Sequence, residues 1–87
     1  MMLDWDEATH QKFKKLLDRI PVFLRGVALE KVSQKAQEIA QKEAHIEITE
    51  KDMVDAFFLE TPFGFHGPLK TDMLSLGIDY TKYGYAK

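Results

Sequence analysis

Apolar residues recur along residues 4–60 with the spacing of helices, and the pattern breaks at a few punctuating residues. Trp5, Ala8, Phe13, Leu16, Leu17 and Ile20 make one stripe, with Lys12, Lys14, Lys15 and Asp18 mainly off it. The spacing predicts a first helix from Trp5 to about Arg19, capped by Asp4 with Glu7 three residues on. Ile20-Pro21 ends it, because proline biases its predecessor away from helix and suits the first turn of a new one. A second helix is expected from Pro21 to about Lys42, with Leu24, Val27, Ala28, Val32, Ala36, Ile39 and Ala40 facing inward. Gly26 costs about 1 kcal/mol against alanine in that helix and marks a kink or a close contact.

His45-Ile46-Glu47-Ile48 alternates polar and apolar, as a short extended segment does. Thr49 then caps a third helix, with Glu50 in its first turn and Asp52 at the third position. Met53, Val54, Ala56, Phe57 and Phe58 form its apolar face, and Thr61-Pro62 stops it. A short fourth helix fits Leu69 to Leu76, stopped by Gly77. The last ten residues read as extended or irregular. The expected fold is all-α, three or four helices with at most a two-residue extended pairing near Ile46–Ile48. Trp5, Phe13, Leu16, Leu17, Phe23, Leu24, Val32, Ile39, Ile48, Val54 and Phe57 are the expected core.

Composition divides the chain near Thr61. Residues 61–87 hold four of the five glycines, two of the three prolines and all three tyrosines. This gives a helical body over 4–60 and an aromatic tail over 61–87. With 87 residues the chain is one domain with a modest core. No cysteine is present, which excludes disulfides, thiolate metal sites and a thiol nucleophile. The net charge of −2 gives no general attraction to phosphate. No apolar run reaches membrane-span length, and the first six residues lack the pattern of a signal peptide, so the reading is cytoplasmic.

Candidate chemistry is sparse. No phosphate loop, dinucleotide fingerprint or nucleophile elbow is present. His10, His45 and His66 are isolated in sequence, and His66 stands out for its place in a loop between rigid elements. Arg25 sits at a helix start, where the helix dipole offers a cation nothing. It serves either a salt bridge to a nearby acid or a fork for a carboxylate on a ligand or partner. The tail aromatics either complete the core or present an interface.

One string carries a family likeness. Trp5-x-Glu7-Ala8, Leu16 or Leu17, Ile20-Pro21-x-Phe23-Leu24-Arg25-Gly26, a helix, and Ile48-Thr49 opening another helix resemble the PCP_red domain. That domain is the C-terminal part of the B subunit of light-independent protochlorophyllide reductase. The resemblance covers about residues 4–60, departs at Ser33 or Gln37 and at Ala44, and leaves out 61–87. It implies a free-standing, non-catalytic accessory module of chlorophyll biosynthesis, carrying an oxidoreductase family name but no catalytic residues, metal or cofactor. Such a module binds a partner protein, itself as a homodimer, or a flat tetrapyrrole-like ligand. Phe23, Arg25, Phe63, Phe65, His66 and Tyr80 are the expected surface for it. The other reading is a small helical nucleic-acid-binding or regulatory protein, with Lys12, Lys14, Lys15 and Arg19 as its basic cluster.

Overall fold

The computed structural model describes residues 2–87, which form four α-helices: α1 Glu7–Leu17, α2 Val22–Lys42, α3 Glu50–Glu60 and α4 His66–Ser75. One-turn 3₁₀ helices cover Phe63–Phe65 and Tyr80–Tyr83. The all-α expectation holds. The 3₁₀ turn at Tyr80–Tyr83 gives order to a segment read as extended or irregular.

Helix α3 is the centre. Met53, Val54, Ala56, Phe57 and Phe58 are all buried, as their spacing predicts. Helix α2 packs along it through Val32, Ala36 and Ala40, whose small side chains allow close approach. Helix α1 brings Phe13, Leu16 and Leu17 to the same core, with the Phe13 and Phe57 rings 5.9 Å apart. Met73, Ile78 and Tyr80 belong to that cluster too, so the core extends past the composition change at Thr61.

The start of α1 differs from expectation. Its cap is Asp6, which accepts from the Thr9 amide at 3.1 Å and the Thr9 hydroxyl at 2.8 Å. Asp4 lies in an extended stretch, where its carbonyl accepts from the Ile48 amide at 2.8 Å while the Asp6 amide donates to the Ile48 carbonyl at 3.0 Å. That parallel bridge between Trp5 and Ile48 is the one extended pairing among the described residues, and it takes residues 4–6 out of the helix. The Trp5 ring then stacks on Phe13 at 4.5 Å. Thr49 caps α3 as predicted, in a reciprocal capping box with Asp52.

Phe23 and Leu24, expected in the core, are exposed. Their helix turns Arg25, Ala28 and Val32 toward the body instead, which leaves Phe23, Leu24 and Val27 outside. A Cβ on Gly26 would meet nothing within 4 Å, so this glycine marks no close contact.

Two helices end in the same way. At the end of α4 the Ile78 amide donates to the Met73 carbonyl at 2.9 Å and the Gly77 amide to the Leu74 carbonyl at 3.1 Å. Gly77 is left-handed at φ +77°, and Ile78 packs into the core beside Met73. This is a Schellman motif with the residue it favours. At the end of α2 the His45 amide donates to the Ala40 carbonyl at 2.9 Å and the Ala44 amide to the Gln41 carbonyl at 3.1 Å. Here the left-handed residue is Ala44, at φ +58°. An alanine Cβ in that region costs roughly 1–2 kcal/mol. Ala44→Gly should therefore stabilise the chain by about 1 kcal/mol, and Gly77→Ala should destabilise it by a similar amount, both read from denaturant midpoints at unchanged slope.

Candidate functional site

The six residues expected at a binding surface divide into two groups. Arg25 sits where α1 ends and α2 begins, and its guanidinium is spent on the backbone. Nε donates to the Leu17 carbonyl at 2.9 Å, and Nη2 donates to the Asp18 and Ile20 carbonyls at 3.2 and 2.9 Å. The carbonyls closing α1 have no amide of their own helix to accept from, and a cation there also suits the dipole. All three partners are backbone carbonyls.

His66 does the same for α3. Its Nε2 lies 3.1 Å from the Phe58 carbonyl and 2.9 Å from the Thr61 carbonyl. Both partners only accept, so Nε2 carries the proton and donates. Tyr80 is a core residue, edge-on to Phe58 at 5.9 Å between centroids. All three side chains are engaged in contacts within the fold.

Phe23, Phe63 and Phe65 are the opposite, 82%, 87% and 64% exposed. Phe65 lines an open groove of about 600 Å³, while Phe23 and Phe63 are outside its lining, next in sequence to the lining residues Leu24 and Pro62. Its floor includes Leu16, Val32 and Phe57, one wall is Leu24, Val27 and Lys31 of α2, and the other holds Glu60, Pro62, Phe65, Pro68 and Leu69. Charge lies at the rim: Arg19 and Lys31 on the α1–α2 side, Glu60 and Asp72 on the α3–α4 side. Arg19 and Asp72 approach to 3.6 Å.

The wall on α2 has a local cause. Between Val22 and Leu29 the only charged residue is Arg25, and it is committed to the end of α1. Those two helical turns carry no other charge, and Val22, Phe23, Leu24, Val27 and Leu29 are exposed along them on several sides of the helix. Leu24 and Val27 were assigned inward by their spacing. The signal for the groove was the same run read otherwise: apolar residues on more sides of a helix than one core can cover.

Other polar clusters have structural roles. Asp52, fully buried, receives the Thr49 amide, the Thr49 hydroxyl and His45 Nδ1 on one oxygen, at 2.9, 2.9 and 2.8 Å. This joins the end of α2 to the start of α3. His10 stacks on Trp5 at 5.5 Å. The basic cluster of α1 is partly neutralised, with Lys12 paired to Glu50 at 2.7 Å and Arg19 near Asp72. Among the described residues no group of three His, Asp or Glu could hold a metal ion, and no helix is long and apolar enough to cross a membrane.

The tail is strapped to α3. The Tyr83 hydroxyl donates to Glu50 and the Tyr85 hydroxyl to Asp55, while the Tyr85 ring stacks on Phe58 at 4.1 Å. Burial, then the hydrogen bond to the carboxylate, pushes each phenol well above its ordinary value of 10. Burial pushes the Glu50 carboxyl up, but hydrogen bonds from Lys12 and Tyr83 and the charges of Lys12 and Lys82 outweigh it. The group ends below its ordinary value of 4.5.

A family model matches residues 1–86, described as protein of unknown function (DUF2621). The chain belongs to that family. No curated protein matches it, and no solved structure does. The match runs through the tail that the PCP_red resemblance left out, and it corrects that resemblance. The chlorophyll-biosynthesis and oxidoreductase associations lose their support with it. The physical reason is local. Pro21-Val22-Phe23-Leu24-Arg25, the most specific block of the resemblance, is how this DUF2621 chain turns from α1 into α2, with proline opening the helix and arginine closing the previous one. Any corner between two helices can use those residue types for those tasks.

Arg25→Ala should destabilise the chain by about 2 kcal/mol, through three carbonyls losing a charged donor, and Arg25→Lys should recover only part of it, since an ammonium lacks the planar fork. Glu50, depressed in the folded chain, contributes stability that is complete above its unfolded value of 4.5 and is lost as the pH falls through its lower folded value. Between about pH 6 and pH 3, Glu50→Gln should show a smaller loss of denaturant midpoint than the unaltered chain.

Proposed function

We propose that this chain is a non-catalytic protein-interaction module that docks through the α2 groove and its phenylalanine rim. The observation that carries this is the exposed Leu24 and Val27 of α2, in a run whose one charge, Arg25, is held by backbone carbonyls, beside a groove with an apolar floor. Soluble chains rarely leave a contiguous apolar patch of several hundred Å² uncovered unless something binds it. The shape supports the same reading. Apolar floor, aromatic lip and charged rim are the parts of a protein–protein interface, with apolar centre and polar edge. Phenylalanine on a rigid helix or turn loses little entropy on contact and carries much area.

The expected homodimer or larger protein partner belongs to this surface, with Phe23, Phe63 and Phe65 retained from the sequence reading and Arg25, His66 and Tyr80 supporting the fold beneath it. A photoreactive benzoylphenylalanine at position 23 or 65, in cells that make the protein, should give discrete crosslinked adducts. The same group at the exposed Glu47 should not. Absence of any adduct at both 23 and 65 would remove the interaction reading.

A further inference from the structure

The groove leaves three exposed apolar residues without a role. Val22, Phe23 and Phe63 are outside its lining, and all are strongly exposed. Helix α2 leads away from the first corner to the link 43–49, and α3 runs back beside it, so the start of α2 and the end of α3 lie at one end of the molecule. Pro21 and Leu24 of one corner and Pro62 and Phe65 of the other line the same groove, which puts Phe23 and Phe63 on its two flanks.

The shape of this end says what can cover it. Val22, Phe23 and Leu24 are consecutive, so they leave the helix about 100° apart and take up three of its sides. A helix that is apolar all round belongs in surroundings that enclose it. The flat face of a folded partner meets one side of such a tip, whereas a fluid layer closes over all of them. No free charge has to be desolvated with the tip. Arg25 is held by the carbonyls that close α1, and residues 61–69 contain no Asp, Glu, Lys or Arg. Helix α2 opens on Pro21 without a side-chain cap, so its first amides need acceptors outside the helix. Lipid phosphates and ester carbonyls are such acceptors and hydrocarbon is not, which limits insertion to an interfacial depth of about 5–10 Å.

The charge behind the tip is mainly cationic. Residues 12–25 carry Lys12, Lys14, Lys15, Arg19 and Arg25 against Asp18 alone, in a chain of net charge −2. Lys12 is answered by Glu50 and Arg19 by Asp72. Lys14 and Lys15, exposed in the last turn of α1, have no ion pair among the described residues, and of the acids nearby only Asp18 and Glu60 remain to oppose them. The magnitudes fit a reversible contact. At about 200 Å² each, the Phe23 and Phe63 rings, 82% and 87% exposed, offer on the order of 340 Å². At roughly 30 Å² per methylene this equals about eleven methylenes, a little less than one myristoyl chain, which alone binds a bilayer with a constant of only about 10⁴ M⁻¹. Each lysine beside an anionic leaflet raises such an affinity about fivefold. A weak apolar anchor with cations behind it is the two-signal arrangement of a surface-bound protein.

We infer that the α1–α2 corner, with Phe63 beside it, is a docking site for the surface of an anionic bilayer, Val22, Phe23 and Phe63 entering the headgroup layer and Lys14 and Lys15 meeting lipid phosphates. The purified full chain should float with phosphatidylcholine vesicles carrying about 30% phosphatidylglycerol, half-bound at or below about 0.1 mM lipid, and should bind pure phosphatidylcholine several-fold more weakly. Phe23→Ser together with Phe63→Ser should weaken binding at least about tenfold with an unchanged circular dichroism spectrum. Lys14→Glu together with Lys15→Glu should remove the preference for anionic vesicles. Ile46→Ser should change nothing, because this residue, 91% exposed, lies in the link at the opposite end of the α2–α3 pair. No binding at about 2 mM lipid overturns the inference, as does equal binding to pure phosphatidylcholine. Indifference to the phenylalanine pair, or an equal loss with Ile46→Ser, overturns it too. If vesicles are ignored while position 23 crosslinks to another protein in cells, the lipid surface is lost and the interaction module stands. If vesicles bind while neither position 23 nor position 65 crosslinks, the groove reading is lost and the lipid surface stands.

Discussion

Helix α3 shows almost no side to water from Asp52 to Phe58, and the remaining elements are placed by the need to cover it. Eleven residues make only three turns, too short to hold as an isolated helix, so its stability comes from what packs around it. The alanine stripe of α2 lies along one side, Phe13 of α1 reaches Phe57, and the tail folds Tyr80 and Tyr85 over Phe58. Burying a helix on all sides in so small a chain leaves little interior for anything else. The polar groups inside serve to join elements, as the Asp52, Thr49 and His45 cluster does.

That economy sets how the helix ends are finished. Short helices have many end carbonyls for their length, and a carbonyl hidden from water needs a donor. Two of the ends are closed by Schellman turns and two by side chains from the following helix, Arg25 for α1 and His66 for α3. The residues with the most functional appearance in the sequence, an arginine after Pro-Val-Phe-Leu and a histidine between Phe and Gly, are the ones most deeply committed to this task. Their chemistry suits a ligand carboxylate and a general base equally well, and only their neighbours in space decide otherwise.

The same commitment produces the candidate surface. Arg25 would be the one charge on the first two turns of α2, and drawing it inward leaves those turns apolar outside. The groove is thus the outer face of a structural solution. Its floor belongs to the core and its edge includes the exposed Phe65, so the core and the groove share Leu16, Val32 and Phe57.

Local rules were enough for the helices, the Thr49 capping box, the glycine that ends α4 and the inward face of α3, because each depends on residues within one or two turns. The likeness to PCP_red failed for the same reason: its best block describes a helix corner, and corners recur in unrelated chains. Asp4 and Asp6 were both competent caps, and a bridge to Ile48, more than 40 residues away, chose between them. The inner side of α2 could not be read either. Its first two turns are apolar on several sides, so periodicity names no single face, and only the position of α1 and α3 decides that Ala28 and Val32 go in while Phe23, Leu24 and Val27 stay out. Secondary structure followed from the sequence by itself because its hydrogen bonds are short-range. Which apolar residues stayed exposed was settled by tertiary packing, because a small core built around a covered α3 takes in only one side of α2.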